Sequence, residues 1–421
     1  MVADAAGWCL PRLQILHVQE GQLRRIKAEV RQQLGIDVHI LRLLSERHDE
    51  TQHEIRQTFF LEYGSAPAAQ PLQGSWVGLA QASQLNLRYA EQQPLLEAWR
   101  RETESREIPA LRTPWARPGW RAQADEWIQA QLQQLGYQVT GPLEEVRNWI
   151  LSYVLRAPTD QGLIYFKTSG GSSRFVNEAV ATATLAQRFP GQIPAPLCVD
   201  ADRNWMLLAD FGAEVGWKAP LDVRGEALAA FARLQIASVP QFDTLKAIGC
   251  FDRRLDKLAA QVDPLLNDPA MLAYVNEAEG ARLRAVAPQL KARCHQLASY
   301  NVPYTLVHGD IHMGNIAHPN STFLFFDWTD ACIAHPFLDM IDILLTKDSA
   351  AQTQLRDRYL AEWTAYEPME RLLAMWSLVY PLCALHQAVS YQQIIAHCEP
   401  AARFTIADAM PLWFGEILES M

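Results

Sequence analysis

The sequence predicts an α+β protein of two lobes, a small antiparallel sheet leading into a larger helical body, with a further small α+β domain in front. Three observations predict it. Strand-like runs at 143–147, 151–157 and 163–168 follow one another at hairpin distance. After Leu221 the apolar residues recur mainly at helical spacing. And 421 residues are too many for one compact core, so the chain is expected to divide. A cleft between two lobes is the natural place for a ligand.

The elements are read in order. Residues 13–18 are strand-like, and 22–34 have helical spacing through Leu23, Ile26, Val30 and Leu34, with Gly35 as C-cap. Runs 38–44 and 57–63 are strand-like and can pair across the polar stretch 45–54. Pro67, Pro71 and Gly74 mark a loop, and a short helix over 95–101 closes this first domain, placed at 1–105. A connector at 106–140 combines Pro114 and Pro118 with Trp115 and Trp120, a composition that suits a docked rather than a flexible linker. Its helix over 122–135 turns Trp127, Ile128, Leu132 and Leu135 inward and ends at Gly136. The small sheet and hinge then take 141–212, and the helical lobe 213–421.

Composition excludes several classes. With 49% hydrophobic and 20% charged residues the chain reads as an ordinary globular protein. A net charge of −10 with no basic tract argues against nucleic-acid binding, which needs clustered Lys and Arg to release counterions. Seven scattered cysteines without a C-x-x-C pair argue against a disulfide framework and a structural zinc site. The start Met1-Val2-Ala3-Asp4 has no secretory pattern, and the apolar run 372–388 is broken by Ser377, Pro381 and His386, so no membrane span is expected and a cytoplasmic location is.

The chemistry is carried by His308-Gly309-Asp310-Ile311-His312-Met313-Gly314-Asn315, a polar, glycine-containing loop between apolar runs. Twelve residues beyond Asn315, the run Phe323-Leu324-Phe325-Phe326 ends at Asp327-Trp328. An Asp, an Asn five residues later and a second Asp after a hairpin is the arrangement of kinase-type phosphoryl transfer. Asp310 is placed to accept the proton of a substrate hydroxyl, and Asn315 and Asp327 offer oxygen ligands to Mg²⁺. The bland alternative for His308 and Asp310 is a loop pair satisfied by its own backbone.

These residues resemble the aminoglycoside phosphotransferase and choline kinase-like superfamily, of protein kinase-like fold, whose catalytic loop reads H-G-D-x-H-x-x-N. The resemblance covers about 141–388 and includes a P-x-x-D element, here Pro336-Phe337-Leu338-Asp339. It implies that Asp310 is the catalytic base, that His312 supports it, and that Asp339 braces the loop by hydrogen bonding. It further implies an ATP (or GTP) site in the small lobe, with Lys167 at the end of its strand gripping the phosphates and Glu178, in a helical stretch over 174–189, pairing with it. Where kinases close a glycine-rich loop, this chain has Asn148-Trp149-Ile150-Leu151-Ser152 with no glycine, leaving Ser152 as the candidate phosphate contact.

Asp210-Phe211-Gly212 imitates the metal-binding D-F-G but lies 100 residues before Asp310, on the wrong side of it. Its place after the strand 205–209 makes it the hinge, with backbone groups from Ala209 to Phe211 facing adenine and Asp210 a turn residue. Many relatives carry L-x-x-L-H in the next helix, whereas this chain ends that element in Gln235. His335 reads as a loop histidine.

For the acceptor, a small hydroxylated molecule, the helical lobe offers Trp363, Tyr366, Trp376, Tyr380 and Tyr391 beside Asp342, Glu362, Glu367 and Glu370. Aromatics with carboxylates suit a cationic alcohol. The alternative is that the aromatics are core and the acids a solvated face. The strand and helix order of the first domain resembles a Nudix fold, but without a G-x5-E-x7-R-E-x-x-E-E box pyrophosphate hydrolysis there is not expected. Two other functions remain open to the sequence: a non-catalytic nucleotide-binding regulator, and a metal-dependent hydrolase with His308, Asp310, His312 and Asp327 as ligands.

Overall fold

The computed structural model describes residues 1–4, 7–15, 22–51, 53–63, 74–82, 84–105, 107–170 and 175–421. The chain forms two compact units, Met1–Lys167 with Cys398–Ala402, and Thr168–His397 with Arg403–Met421.

In the first unit, the short strands β1 (Val2–Asp4) and β2 (Gly7–Cys9) pair antiparallel. Residues 13–15 lie in no strand, and 16–18 fall outside the described residues, as do Pro67 and Pro71. Helix α1 (Gln22–Leu34) turns Ile26, Val30 and Leu34 inward onto Val38 and Ile40, and Gly35 at φ +71° stops it. The hairpin β3 (Val38–Asp49) and β4 (Glu54–Tyr63) is longer than expected, because the polar stretch also pairs, out to Asp49↔Glu54. Two short helices follow, α2 (Leu79–Ala82) and α3 (Gln93–Ser105).

The connector is docked. Trp115 is buried and its indole N–H donates to the Trp149 carbonyl at 2.9 Å. Helix α4 (Trp120–Gln134) buries Trp120, Arg121, Ala124, Ile128 and Leu132. The inward face is thus rotated from the expected one, and Leu135 is exposed because the helix ends before it. Arg121 is the buried cation of this core, with Asp125 at 2.6 Å and Tyr153 at 3.2 Å. Strands β5 (Glu144–Asn148), β6 (Ser152–Thr159) and β7 (Gly162–Ser169) follow, and β5 and β6 pair antiparallel. The division between units falls within β7, after Lys167.

The second unit opens with helix α5 (Glu178–Arg188), capped by the Asn177 side chain, while Arg174 lies outside the described residues. The antiparallel pair β8 (Cys198–Asp200) and β9 (Trp205–Ala209) leads to α6 (Leu221–Ser238), α7 (Phe242–Ala247) and strand β10 (Phe251–Asp252). Helices α8 (Leu255–Leu266), α9 (Pro269–Leu272) and α10 (Glu277–Leu297) come next, the last with a full capping box from Asn276 and Glu279. Strand β11 (Thr305–Val307) enters the loop of interest, and the hairpin β12 (Ile316–Ala317) and β13 (Leu324–Phe325) leaves it. Strand β14 (Cys332–Ala334) lies between β10 and β11, parallel to the first and antiparallel to the second.

Helices α11 (Ile341–Leu344), α12 (Ser349–Ala361), α13 (Met369–Ala396) and α14 (Ala409–Glu419) complete the unit. Phe337, Tyr359 and Trp363 pack edge-on and tilted at its centre, and burying each contributes roughly 2–3 kcal/mol. Helix α13 is long and apolar enough to cross a membrane, but 72% of its most apolar window is buried inside the structure. It is the core helix of this unit. Its interruptions at His386, Gln387 and Ser390 are buried polar residues, and Gln387 among them reaches the Gly309 carbonyl of the loop at 308–315.

Candidate active site

The loop is held from beneath. Asp339, fully buried, accepts the backbone N–H of His308 on Oδ2 at 2.7 Å and that of Gly309 on Oδ1 at 2.8 Å. Burial pushes its carboxyl up to about 7, while the two N–H donors pull it back down. Gln235 Nε2 adds a third contact at 3.3 Å, and Tyr359 donates its hydroxyl to Gln235 Oε1 at 2.6 Å. The position expected to hold an exchanged polar residue is therefore the middle of a buried chain from Tyr359 to the loop.

His308 is wholly buried between Trp328 and Phe231, with ring centroids at 4.6 and 6.4 Å. Its Nδ1 accepts the Asp310 N–H at 3.4 Å, so Nε2 carries the proton it donates to the Phe326 carbonyl at 2.9 Å. Both nitrogens are committed to backbone, which corrects the reading of His308 as a metal ligand. Gly309 has φ +86°, and a Cβ there would stand 2.6 Å from the Asp330 carbonyl oxygen. Only glycine fits. Gln387 Nε2 closes the other side by donating to the Gly309 carbonyl at 2.7 Å.

On this fixed backbone Asp310 turns its side chain outward, 53% exposed, with His312 Nε2 at 3.8 Å from Oδ2. His312 accepts the Gly314 N–H on Nδ1 at 3.0 Å, and its ring stacks on Trp217 at 5.1 Å. The loop carrying Trp217 is tied to the same place by Val215 N–H to the Ile316 carbonyl, 2.7 Å, and Gly216 N–H to the Met313 carbonyl, 2.9 Å. Asn315 donates Nδ2 to the Asp310 carbonyl at 2.9 Å, leaving Oδ1 as its oxygen for a cation.

The hairpin brings Asp327 beside Asn315: Ile316 pairs with Phe325, and the Phe326 N–H donates to the Asn315 carbonyl at 3.1 Å. Asp327 itself sits at φ +69°, an uncommon conformation for a residue with a Cβ, and its Oδ1 accepts the Thr329 hydroxyl at 2.8 Å. Among the described residues no three His, Cys, Asp or Glu side chains gather to hold a metal alone. Two oxygen donors are instead what Mg²⁺ takes when phosphates and water complete its shell, so the donor set fits that ion.

One acid escaped the sequence reading. Asp330 lies against Gly309, and burial together with Asp310 and Asp327 pushes its carboxyl up to about 7, Arg253 opposing. Its only sequence signal was the spacing of three residues beyond Asp327. Tyr391 belongs here too, its hydroxyl pushed up to about 12 by burial and then by Asp310 and Asp330.

The other expected residues are distributed as follows. In the second unit Glu178 is buried in the first turn of α5. Ala209 is exposed at the end of β9, and Phe211 packs on Phe326 with centroids at 5.0 Å. Asp210 accepts the Gly212 N–H at 2.9 Å, as a turn residue does. In the first unit Lys167 stands half-buried near the end of β7. Ser152 is buried there, and its carbonyl, rather than its hydroxyl, closes the turn by accepting the Trp149 N–H at 3.0 Å.

The aromatic and acidic acceptor wall is largely absent from the site. Trp363 is core, Tyr380 donates to Glu416 at 2.8 Å, and Asp342 pairs with Arg224 at 2.9 Å. Glu362 pairs with Arg233 at 2.6 Å, and Glu367 with Arg371 at 2.6 Å. Residues chosen by type from a helical stretch need not share a face, and these are spread over α11 to α13 and the turn before α13.

A braced His-Gly-Asp loop, followed by an asparagine and an aspartate on one hairpin, defines a kinase-like phosphotransferase. Residues 152–373 match the model of the phosphotransferase enzyme family, which is more than half of the 421 residues, and the chain belongs to that family of small-molecule kinases. Among solved structures, the GDP complex of wild-type aminoglycoside 2'-phosphotransferase-IIIa is 14% identical, with a TM-score of 0.50 over 71% of this chain and 97% of that one. That likeness shows the protein kinase-like fold. A macrolide 2'-phosphotransferase type I is 18% identical at a TM-score of 0.44, covering 65% of this chain and 95% of that one. A choline/ethanolamine kinase family protein from Mesorhizobium loti is 20% identical at 0.42, covering 70% and 98%. Comparison with curated proteins returns no match.

Proposed function

We propose that this chain is a cytoplasmic, Mg²⁺-dependent kinase that moves the γ-phosphate of ATP or GTP to a hydroxyl of a small molecule. The observation that carries the reading is the contrast at Asp310: an outward, half-exposed carboxylate on a backbone whose neighbours are locked by Asp339, Gln387 and Asn315. Such preorganisation is what phosphoryl transfer asks of a protein, since positioning and charge stabilisation do most of the work.

Asp310 accepts the proton of the acceptor hydroxyl as its oxygen bonds to the γ-phosphorus and the bond to the β-phosphate oxygen breaks, releasing the nucleoside diphosphate. His312 orients that carboxylate, and Lys167 neutralises the α- and β-phosphates. Asn315 and Asp327 would hold the divalent cation, which would supply charge neutralisation at the phosphates. Backbone groups of Ala209 and Phe211 receive the base. The GDP in the aminoglycoside phosphotransferase structure supports keeping GTP beside ATP as donor. All seven cysteines are free thiols, which supports a reducing compartment.

The test is nucleotide consumption against a panel of small alcohols, with Asp310→Asn as control. Loss of a general base costs ~10²–10⁴-fold in kcat, with nucleotide binding retained. An Asp310→Asn protein with full turnover would end this assignment.

A further inference from the structure

Among the described residues Arg253 is a buried cation with no carboxylate in ion-pair contact, Asp330 acting on it only at longer range. It directly follows β10, where its N–H donates to the Ile333 carbonyl at 2.9 Å, and the side chain runs inward to 7% exposure. The next residue behaves oppositely: Arg254 stays at the surface and takes Asp252 at 2.9 and 2.8 Å. Arg253 is left with neutral partners on α13. Its Nη1 donates to Ser390 Oγ and stands 3.5 Å from His386 Nε2, and its Nη2 donates to Gln393 Oε1 at 2.9 Å. His386 is itself kept uncharged, its pKa driven well below the ordinary value by burial and then by Arg253. Nε finds no hydrogen-bond acceptor, and among the described residues no carboxylate lies within 4 Å of the guanidinium.

A buried charge without a partner is costly, and proteins keep one mainly where a ligand completes it. The place is the active site's own wall. Gln387, between His386 and Ser390 on α13, holds the Gly309 carbonyl next to Asp310. Cys332 Sγ, two residues past Asp330, is 3.7 Å from His386 Nε2. Gln393 is half-buried, so its amide oxygen is the partner an incoming anion can displace.

Resting on the phosphotransferase reading above, we propose that Arg253 anchors an anionic group of the acceptor, so that the substrate is a hydroxylated acid. A cationic amino alcohol would meet a buried like charge. Arg253 also acts at longer range on Asp330, and were that its whole role, substitution would affect every acceptor alike.

The experiment uses the full chain and two matched sets, glycerate with glycerol and serinol, and gluconate with sorbitol and glucamine. Nucleotide consumption and thermal shift are both read. Expected is a KM for the acids at least ~10-fold below that of their neutral and cationic partners, about the worth of one charge-assisted contact. Arg253→Lys, which keeps charge without the planar fork, should weaken that preference, and Arg253→Met should abolish it. If Arg253→Met does not fold, Gln393→Ala removes the partner the anion must displace and should lower the KM of the acids alone, and an unchanged KM there overturns the proposal. Preference for serinol or glucamine overturns the proposal, as does acid preference that survives in Arg253→Met. So does the lack of any acid-induced thermal shift in the wild-type protein. Failure of the kinase reading looks different: no nucleotide consumption and no nucleotide-induced shift, whatever the acids do.

Discussion

Asp339 and His308 are joined where the 308–315 loop begins, the buried carboxylate accepting the His308 N–H at 2.7 Å and the Gly309 N–H at 2.8 Å on its other oxygen. One side chain thereby fixes two successive peptides immediately before Asp310. It is a brace that touches no substrate, so its effects should appear in stability and kcat together.

Asp339→Asn replaces one accepting oxygen by an NH₂ group that faces a backbone N–H. Leaving such a donor unmatched in the core costs about 1–3 kcal/mol. Urea unfolding should show that loss, and kcat should fall more than the nucleotide KM rises. Unchanged stability with lost activity would instead put Asp339 among the groups that touch substrate.

Gly309→Ala should be more damaging per atom added. A left-handed backbone costs an alanine about 1–2 kcal/mol, and the new Cβ would meet the Asp330 carbonyl at 2.6 Å, so the backbone must move. Displacing Asp310 by even an ångström is worth ~10²-fold in kcat. Steady-state kinetics with retained nucleotide binding would show it, and wild-type kcat would refute it.

That Asp310, Asn315 and Asp327 belong together was legible from their close spacing in one segment, and the bracing of the loop by Asp339 from the family resemblance. The strand 205–209 and the start of α6 at Leu221 were legible for the same local reason. Arg253 and Gln387 were not: Gln387 reaches the Gly309 carbonyl from α13, and Arg253 meets that helix only because β10 pairs with β14, contacts separated by scores of residues. Between an acceptor wall and a core with a solvated acidic face, the sequence could not choose for Trp363, Tyr380 and Glu362, because residue type in a helical stretch does not tell which face points to the site. Leu135 failed through a helix end one residue too late, the least secure part of any helix reading.

Asp330 should contribute a stabilisation that is lost as pH rises from about 5 to 7, against the opposite trend of the buried, uncharged His335 and His386. Its pKa is raised to about 7 in the folded chain, above the ordinary carboxylate value, so the folded state holds that proton more tightly than the unfolded one. The stabilisation is complete at low pH and is lost as pH passes upward through the folded pKa, by at most ~1.4 kcal/mol per pH unit for each such group. Asp330→Asn removes this titration and leaves that of Asp339, so relative to wild type the variant's urea midpoints should fall less, or rise more, between pH 5 and 8. A variant with the full wild-type slope would show that Asp330 ionises normally.

Gln235 is buried below the loop, and its two ends explain how an amide serves there. Nε2 gives one proton toward Asp339 and the Pro336 carbonyl, at 3.3 and 3.2 Å, while Oε1 receives the Tyr359 hydroxyl at 2.6 Å. Tyr359→Phe leaves Oε1 buried and unmet, at about 1–2 kcal/mol, and Gln235→Leu strips a donor from Asp339 at similar cost. The tyrosine keeps a second acceptor in the Pro336 carbonyl at 3.3 Å, so Gln235→Leu should be the milder change for Tyr359 than for Asp339. Because the three groups act as one chain, the double variant should cost less than the sum, with a coupling of ~0.5–3 kcal/mol in a double-mutant cycle. Strict additivity would mean that Tyr359 stabilises the core without helping to hold the loop, and the brace would then end at Gln235.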